Sequence, residues 1–571
     1  MITDASTLEH ESRLDADLCI VGAGAAGIAI ALQFLYSPLR VLVLESGRAR
    51  PDAVTQSLYA GTVADAALHP PTDTYRVRRF GGSTTLWGGR CIPLDPIDFA
   101  RRDWIAGSGW PIAPDDIAPY YPAANAICEA GAFDYDARSA VPGGMRPLVA
   151  GFAPPHFDAD GIERFSLPTN FAARYAHRLA RSESVRVLLG ANVTDIVTDA
   201  GGSTVESLTL RTLDTRRLTV AATRVVLALG GLETPRLLLA SRSVHANGIG
   251  NARDLVGRHY MAHVAGTSGR LRLAVPRGFV TNGYEVAEDG TYLRRRLRLT
   301  DAAQERHGTG NAVLRLHFPH IPDPSHGSGV LSGLYFARFL LPYEYRKRLA
   351  TRGGGLRHHL AHLANVARDP FSAVAFAANM LLKRKLAARK FPSVIVRPPG
   401  NVFSLDYHGE QEPNPASRIT LGRDRDALGL PRLHVDWRHT DTDLRTATTT
   451  FRLLAEDIAT WGRGHLDWTP EQVAHDVLRE GAYGGHHLGT ARMAHSPRTG
   501  VVDPDLKVHG LNNLWIAGGA VFPTSGQANP TLTIVALSLR LADHLRRDAG
   551  TAPPNVASGA SGEAAGASRG A

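Results

Sequence analysis

Three glycines near the start of the chain have the spacing of a loop that binds a dinucleotide. In this GxGxxG pattern the first glycine permits a tight turn, the second lets the backbone approach a pyrophosphate, and the third lets a helix pack closely on a strand. Glu45 follows 23 residues after the first glycine, where a carboxylate can accept hydrogen bonds from ribose hydroxyls and disfavours a 2′-phosphate. The alternative is a glycine-rich turn that serves packing alone. The residues of this loop are Gly22, Gly24, Ala25, Ala26 and Gly27.

The loop lies between elements typical of a parallel α/β unit. Residues 18–21 are all apolar and predict a buried strand, residues 28–35 predict a helix, and residues 41–44 predict a second strand that ends at Glu45. A helix that begins at the loop presents free N–H groups and the positive end of its dipole to phosphates. Residues 225–229 predict another buried strand. We therefore expect an α/β fold with a Rossmann-type sheet, although the loop alone does not separate NAD from FAD.

Length and composition limit the other possibilities. A chain of 571 residues is too long for one hydrophobic core and predicts two or more domains. Three cysteines exclude a disulfide framework and offer no metal-ligand spacing, so no metal is expected. The polar start, residues 1–17, lacks the features of a secretory signal, which predicts a cytoplasmic protein. Residues 515–539 lack charge but are interrupted by prolines and amides, so a membrane span is not expected.

One segment is strongly basic. Residues 344–397 contain twelve Lys or Arg but only two acidic residues, Glu344 and Asp369, and so carry the excess of the +9 net charge. Residues 346–390 predict helix and include an apolar stretch. They are either a solvated helical lid over a substrate site, or a surface that docks on an anionic membrane or an acidic partner. Nucleic-acid binding is not expected, because aromatic and basic residues do not alternate and no reading motif is found.

Several blocks of sequence, in this order, resemble the glucose–methanol–choline (GMC) oxidoreductases. They lie at both ends of the chain and leave the middle, about 265–400, unmatched. The resemblance is greatest to bacterial members that oxidise sugars and polyols. The blocks are the glycine loop at 22–27, GGSTTLWGG at 81–89, GLETPRLL at 231–238, GHHLGTARM at 485–493, GVVD at 500–503, LKVHG at 506–510, NLWIAGG at 513–519 and ANPTLT at 528–533.

The resemblance implies a fold of two domains. A Rossmann-type FAD-binding domain would be assembled from residues 14–130, 163–265 and 484–548. An α+β substrate-binding domain would comprise residues 131–162 and 266–483, with a sheet that covers the flavin. Residues 549–571 are almost entirely Gly, Ala and Ser, and we expect disorder there.

The resemblance also implies the catalytic residues. His486 is the first His of the HxxGT block, where the family has its catalytic base, and an imidazole suits that task near neutral pH. His487 is the competitor, but neighbours on an extended segment point to opposite sides, so we expect His487 to be a structural or a surface histidine. Asn529 occupies the second catalytic position and would orient the substrate oxygen. Asn529 could also be the N-cap, with Pro530 at the first position, of a helix directed at the flavin.

The remaining contacts of FAD follow from the same resemblance. Loop 81–89 would lie along the flavin ring, Trp87 would stack near the ring or fill the core, and Val193 would contact the adenine. Some relatives bind FAD covalently through a His in this region, but residues 76–93 contain none, so we expect non-covalent FAD. The additional candidates are Gly81, Gly82, Ser83, Thr84, Trp87, Gly88, Gly89, Val193, Gly518, Gly519, Asn529, Pro530 and Thr531.

The expected function is FAD-dependent oxidation of a CH–OH group of a sugar, cyclitol or other polyol. Hydride would pass to flavin N5 and the hydroxyl proton to His486. The alternatives are oxidation of a lipophilic alcohol or sterol at a membrane surface, with peripheral contact through residues 346–390, and a flavin-bound subunit without turnover. The partners would be a small alcohol and an electron acceptor, which is oxygen, a quinone or an electron-transfer protein.

Overall fold

The computed structural model of the protein describes residues 1–167, 169–340, 355–387, 391–392, 396 and 399–551. The predicted disordered tail, 549–571, lies outside the described residues from position 552 onward. Two parts of the basic segment, 346–354 and 388–390, also lie outside them. No helix in the described ranges is both long and apolar enough to cross a membrane.

The first sheet carries the glycine loop. Its pairs are parallel, except for an antiparallel extension formed by Val205–Arg211 and Asn192–Thr198. Leu514–Ile516 pairs with the C-terminal end of Arg217–Leu227 and so brings the C-terminal region into this sheet. Within the described residues its strands are, in spatial order, Ile2–Asp4, Val185–Leu189, Val41–Glu45, Arg13–Val21, Arg217–Leu227, Val205–Arg211 and Asn192–Thr198, with Leu514–Ile516 beside Arg217–Leu227.

Helices cover this sheet. The helix after the glycine loop spans Ala25–Leu32, so it begins earlier and ends earlier than the sequence predicts, because Gly24 is its N-cap. Helix Gly230–Ala240 contains Pro235 at its sixth position, where a proline removes one hydrogen bond within the helix. The helices of this region are Ala25–Leu32, Tyr121–Ile127, Phe171–Arg181, Gly230–Ala240 and Thr531–Asp548.

A second sheet has its own hydrophobic core. Among the described residues its strands pair antiparallel, and the long strand Met261–Leu273 pairs with three of the others. Helices Asp441–Trp461 and Pro470–Glu480 pack on one face through Phe451, Leu454 and Val477. In spatial order the strands are Gly464–Asp467, Met261–Leu273, Val402–Gly409, Ala312–His317, Leu297–Leu299 and Phe157–Asp158, with Ala482–Leu488 beside Met261–Leu273.

Smaller elements complete the described fold. One small sheet contains Tyr284–Val286, Tyr292–Arg295, Ile162–Phe165 and Arg90–Cys91, and another contains Arg418–Arg425, Pro431–Asp436 and Thr62–Val63. The remaining α-helices are Ala53–Ser57, Pro96–Phe99, Ala137–Ala140, Asp301–His307, Gly329–Phe336, Leu356–Arg368 and Pro370–Met380, the last followed by a π-helical turn at Leu381–Leu386. The predicted fold class, a Rossmann-type α/β region with a second region built on another sheet, is confirmed.

The three cysteines, Cys19, Cys91 and Cys128, are free and buried. Burial raises the pKa of the Cys19 thiol. All three side chains are therefore part of the hydrophobic core.

Candidate active site

The two predicted catalytic side chains are neighbours. His486 lies on strand Ala482–Leu488, and its Nε2 is 3.2 Å from Nδ2 of Asn529, which precedes helix Thr531–Asp548. An amide N–H can only donate, so Nε2 of His486 is the acceptor and carries no proton. The site therefore contains an unprotonated imidazole nitrogen beside an amide donor.

Two further histidines lie behind His486. Its Nδ1 is 2.7 Å from Nδ1 of His263 on strand Met261–Leu273, and the two rings are perpendicular. The His263 ring stacks on that of His408 at 4.3 Å between centroids. Nδ1 of His408 donates to the backbone oxygen of Gln527 at 2.8 Å. The antiparallel strands of the second sheet thus support the imidazole that faces Asn529.

The environment keeps His486 neutral. Burial, and then the positive charge of Arg90, lower its pKa to about 3. Burial also lowers the pKa of His263 and of His408 well below the usual value. Since an imidazole with a low pKa is unprotonated at neutral pH, His486 is in the form of a base before any substrate arrives.

The charges near His486 come from a buried ion-pair network. Arg315 donates to Glu163 at 2.8 Å from Nε and lies 3.4 Å from Asp406, while Nε of Arg90 is 3.5 Å from Glu163. Burial alone would raise the pKa of Glu163, but Arg315 and Arg90 outweigh it and lower this pKa to about 2. Glu163 therefore stays ionised and holds Arg90 near the base.

The three histidines are close enough to raise the question of a metal. One ligand atom from each of His263, His408 and His486 lies within 4.8 Å of the others. However, two nitrogens bound to one zinc ion are about 3.3 Å apart, and the 2.7 Å between His263 and His486 is a hydrogen-bond distance. Arg90 and Arg315 also place positive charge beside the group. The geometry favours a hydrogen-bonded chain over a cation site.

His487 contacts a different group. Its Nδ1 is 2.6 Å from the hydroxyl of Tyr260, which is 2.8 Å from Nε2 of His69. Adjacent residues on a strand face opposite sides, and the two histidines accordingly differ in their partners. Within the described residues, the hydrogen bonds of His487 and of Asn529 do not connect these two side chains.

The glycine loop leaves room for a phosphate-bearing ligand. Gly22 has φ +109, and a Cβ there would lie 2.5 Å from the backbone oxygen of Ala228. Gly24 faces open space, because a Cβ on it would meet no atom of the described chain within 4 Å. Among the described residues, no side chain caps the N-terminus of helix Ala25–Leu32. Its N–H groups therefore border the space where a pyrophosphate would lie.

Loop 81–89 contacts the glycine loop directly. The N–H of Gly81 donates to the oxygen of Ala23 at 2.9 Å, and a Cβ on Gly82 would lie 3.0 Å from Cα of Gly24. Thr84 is buried and accepts from the N–H of Phe171 at 3.1 Å. Trp87 is half-buried, packs edge-on against Phe171 and donates to the oxygen of Thr169. Ser83 and Gly88 are exposed, and Gly89 is buried.

The end of the next strand places Glu45 and Val193 together. Glu45 is buried and accepts from the N–H groups of Ala23 at 2.9 Å and Gly47 at 2.8 Å. Burial raises its pKa, although those two N–H groups oppose the shift. The backbone oxygen of Glu45 accepts from Ala191, two residues before Val193. A ribose at this position would share a carboxylate that already anchors the loop.

Gly231 and Gly519 lie close to the backbone of the strand that carries His486. A Cβ on Gly231 would lie 2.1 Å from the oxygen of His487, and a Cβ on Gly519 would lie 2.9 Å from the same oxygen. Gly518 has φ +113 and faces open space. Gly231 is thus required by the close approach of the backbone of His487.

One expectation about the last helix is wrong. Its N-cap is Pro530 and its first residue is Thr531, so Asn529 is not the N-cap. Asn529 instead directs its amide to His486, and its Oδ1 is buried without a hydrogen-bond partner among the described residues. The helix begins two positions after Asn529, and no side chain of the described residues caps its N-terminus.

Comparison with known proteins identifies the family. Two family models, both described as GMC oxidoreductase, match residues 170–265 and 413–538. The fructose dehydrogenase large subunit of Gluconobacter japonicus is 23% identical, with 94% of this chain and 98% of that protein covered. The 2-methyl-1,2-propanediol dehydrogenase of Mycolicibacterium austroafricanum is 24% identical, with 93% and 95% covered. Formate oxidase has the same fold, with a TM-score of 0.53 at 19% identity over 95% of this chain and 99% of that one.

The chain belongs to the GMC oxidoreductases. As a GMC oxidoreductase it is an FAD-dependent enzyme that acts on CH–OH groups. The residues fit FAD, because Gly24 and Gly518 face open space at two uncrowded backbone turns and an uncapped helix begins beside the first of them.

Sequence reasoning missed several residues of this GMC oxidoreductase site. His263 and His408 lie just outside the stretch, about 265–400, that has no family block, and each is the single histidine of a largely buried strand. Arg90 directly follows loop 81–89 and was not selected. Of these three residues, only Arg90 had a signal in the sequence, because it directly follows the loop that is predicted to lie along the flavin.

Proposed function

We propose that this enzyme oxidises a CH–OH group of a sugar, cyclitol or other polyol to a carbonyl, with His486 as the base. FAD, when bound, supplies the hydride acceptor at its N5. The observation that carries the proposal is the pairing of an unprotonated Nε2 on His486 with the amide of Asn529 at 3.2 Å. A substrate hydroxyl that replaces this mutual hydrogen bond can donate to Nε2 and accept from the amide N–H, which is the arrangement that alcohol oxidation requires.

The low pKa of His486 bears on the order of events. A neutral imidazole with a pKa of about 3 is ready to accept a proton but is a weak base. It cannot remove the proton of an ordinary alcohol in advance of hydride departure. We therefore infer that the hydroxyl proton moves to Nε2 as the C–H bond breaks. Asn529 orients the oxygen during this step, and Nδ1–H of His486 donates to His263.

Two observations support a polyol. The Oδ1 of Asn529 is buried and lacks a partner among the described residues, so it can accept from a second hydroxyl next to the one that reacts. The matched relatives are named for fructose and for a 1,2-diol. An adjacent pair of hydroxyls fits an amide that offers both a donor and an acceptor.

The other assignments belong to the same proposal. FAD is held non-covalently by the glycine loop, Glu45, loop 81–89, Val193 and the segments at 518–519 and 529–531. The FAD-binding domain comprises residues 14–130, 163–265 and 484–548, and the substrate-binding domain comprises 131–162 and 266–483. The acceptor is oxygen, a quinone or an electron-transfer protein. The enzyme is cytoplasmic, with peripheral contact to the membrane through residues 346–390.

An anaerobic absorbance titration tests the reaction. The flavin-loaded protein is mixed with single members of four classes: sugars, cyclitols, primary alcohols and sterols. Bleaching of the long-wavelength flavin band by a sugar or cyclitol is the expected result, and readmission of air then distinguishes an oxidase from a dehydrogenase. Bleaching by sterols or long-chain alcohols alone would replace a polyol by a lipophilic substrate, a candidate that the exposed apolar residues of 356–386 favour. Acid precipitation of the flavin tests non-covalent binding, because a covalent flavin stays with the protein.

A further inference from the structure

Helix Leu356–Arg368 buries polar side chains and exposes apolar ones, which is the reverse of an ordinary surface helix. Its buried side chains are polar: Nδ1 of His362 is 3.0 Å from the hydroxyl of Ser332, and Nδ2 of Asn365 donates to the oxygen of Pro324 at 2.8 Å. Its leucines, Leu356, Leu360 and Leu363, point outward and are 77%, 52% and 52% exposed. Surface helices normally bury the apolar stripe and expose the polar one, so this helix is built for an apolar environment outside the protein.

The following helix extends the same apolar surface. Pro370–Met380 contains no charged residue, and Phe371 is 85% and Val374 69% exposed. The π-helical turn Leu381–Leu386 adds further exposed leucines. A concentration of large exposed apolar side chains of this kind, within 31 consecutive residues, is typical of an interaction site on a protein. We define the docking face by its exposed apolar residues, which are Leu356, Leu360, Leu363, Phe371, Val374, Leu381, Leu382 and Leu386.

The charge around the docking face indicates its partner. The sequence places Lys383, Arg384 and Lys385 directly after the uncharged run that ends at Leu382, and Arg357 and Arg368 are exposed on the preceding helix. Asp369 is the single acidic residue between 355 and 387. Apolar side chains bordered by cations match a bilayer surface, where the acyl region takes the former and anionic headgroups attract the latter.

We propose that the docking face binds the surface of a membrane that contains anionic lipid, with its two helices lying in the plane of the interface. Neither helix is long enough to cross the bilayer, and helix Leu356–Arg368 is held by its buried polar side against helix Gly329–Phe336. The face therefore lies on the membrane while the two sheets stay outside it. An acidic protein would match the cations but not the exposed leucines and Phe371.

Vesicle sedimentation tests the proposal with the full flavin-loaded enzyme. Two kinds of vesicle are used: phosphatidylcholine alone, and an equal mixture with phosphatidylglycerol. We expect binding to the mixed vesicles at low salt, weaker binding to phosphatidylcholine, and weakening by added salt. The double variant Leu360→Gln/Phe371→Ser should bind about tenfold more weakly or worse, because two large apolar side chains no longer enter the interface. The control Tyr36→Ser removes a 95% exposed aromatic far along the chain and should bind as the parent does.

A fluorescent label reports insertion directly. Because the three cysteines are buried, Phe371→Cys and Tyr36→Cys each introduce one accessible thiol for an environment-sensitive dye. A blue shift with mixed vesicles at position 371 but not at position 36 is the expected result. Failure of the parent to bind vesicles, equal binding by the double variant, or equal shifts at both positions would overturn the proposal. So would concentration-dependent self-association that the double variant abolishes without any vesicle binding. Flavin reduction by a soluble substrate, measured on the same proteins, separates this outcome from failure of the proposed reaction.

Discussion

The Nδ1 atoms of His486 and His263 lie 2.7 Å apart, so one of them carries a hydrogen and the other does not. Because Nε2 of His486 accepts from Asn529, a neutral His486 carries its hydrogen on Nδ1 and donates it to His263. The neighbouring strand thereby fixes which nitrogen of His486 is free. A proton taken up at Nε2 would give an imidazolium that remains hydrogen-bonded at both nitrogens.

The first prediction concerns the base. His486→Ala should retain FAD and slow flavin reduction by about 10²-fold or more, since the general base is lost. His487→Ala, which affects the contact with Tyr260, should slow it far less. Anaerobic stopped-flow absorbance measures both rates. Equal rates for the parent and His486→Ala would remove His486 from the mechanism.

The second prediction concerns the partner of the base. His263→Phe removes the acceptor of Nδ1–H and should slow flavin reduction by about 10-fold or more as Nε2 becomes protonated in part of the population. His263→Gln retains an acceptor oxygen and should restore much of the rate. A change in packing alone would lower the melting temperature of both variants without this difference in rate, so rates and melting temperatures are measured together.

The third prediction concerns pH. Burial and Arg90 lower the pKa of His486 to about 3, and the base is active when unprotonated. The rate of flavin reduction at low substrate concentration should therefore stay constant from neutral pH down to about pH 5, and decline only on approach to the lowered pKa. A decline centred near 6.5, the ordinary value for histidine, would show that the imidazole is not desolvated in the free enzyme.

The fourth prediction concerns acid stability. The pKa values of His263, His408 and His487 are far below those of the unfolded chain. Below pH 6.5 the unfolded chain then binds more protons than the folded one, so the free energy of unfolding decreases as pH falls, by about 1.4 kcal/mol per pH unit for each group. Denaturant titrations at pH 7 and pH 5 measure this slope. His408→Gln should reduce this slope, because one of the buried histidines with a lowered pKa is removed.

The fifth prediction concerns the cofactor. Gly24 has extended backbone angles, and a side chain there would meet no atom of the described protein. Gly24→Val should therefore fold with a near-normal melting temperature for the apoprotein but fail to retain FAD, because the added carbons occupy the space for the pyrophosphate. Gly278→Val, at another glycine with open space around it, should retain FAD. Flavin absorbance after gel filtration distinguishes the two.

The parts of the fold that could be predicted are those with strong local signals. The strand, glycine loop and helix at residues 18–32 follow from an apolar run and from backbone requirements that only glycine meets. His263 and His408 were missed because a buried histidine on a strand has no distinctive spacing, and only the pairing of Met261–Leu273 with Val402–Gly409 and Ala482–Leu488 brings them to His486. The N-cap assignment of Asn529 failed because its amide bonds to a residue distant in sequence rather than to its own helix.

The pairing of Val225–Leu227 with Leu514–Ile516 has a consequence for biosynthesis. On the ribosome the first of these strands emerges long before the second, so a wholly apolar strand edge stays open during much of translation. Asn529 and the uncapped helix at Thr531 emerge later still. The cofactor can therefore meet a complete pocket only after translation has passed these residues, and until then the open strand edge is available for wrong pairings.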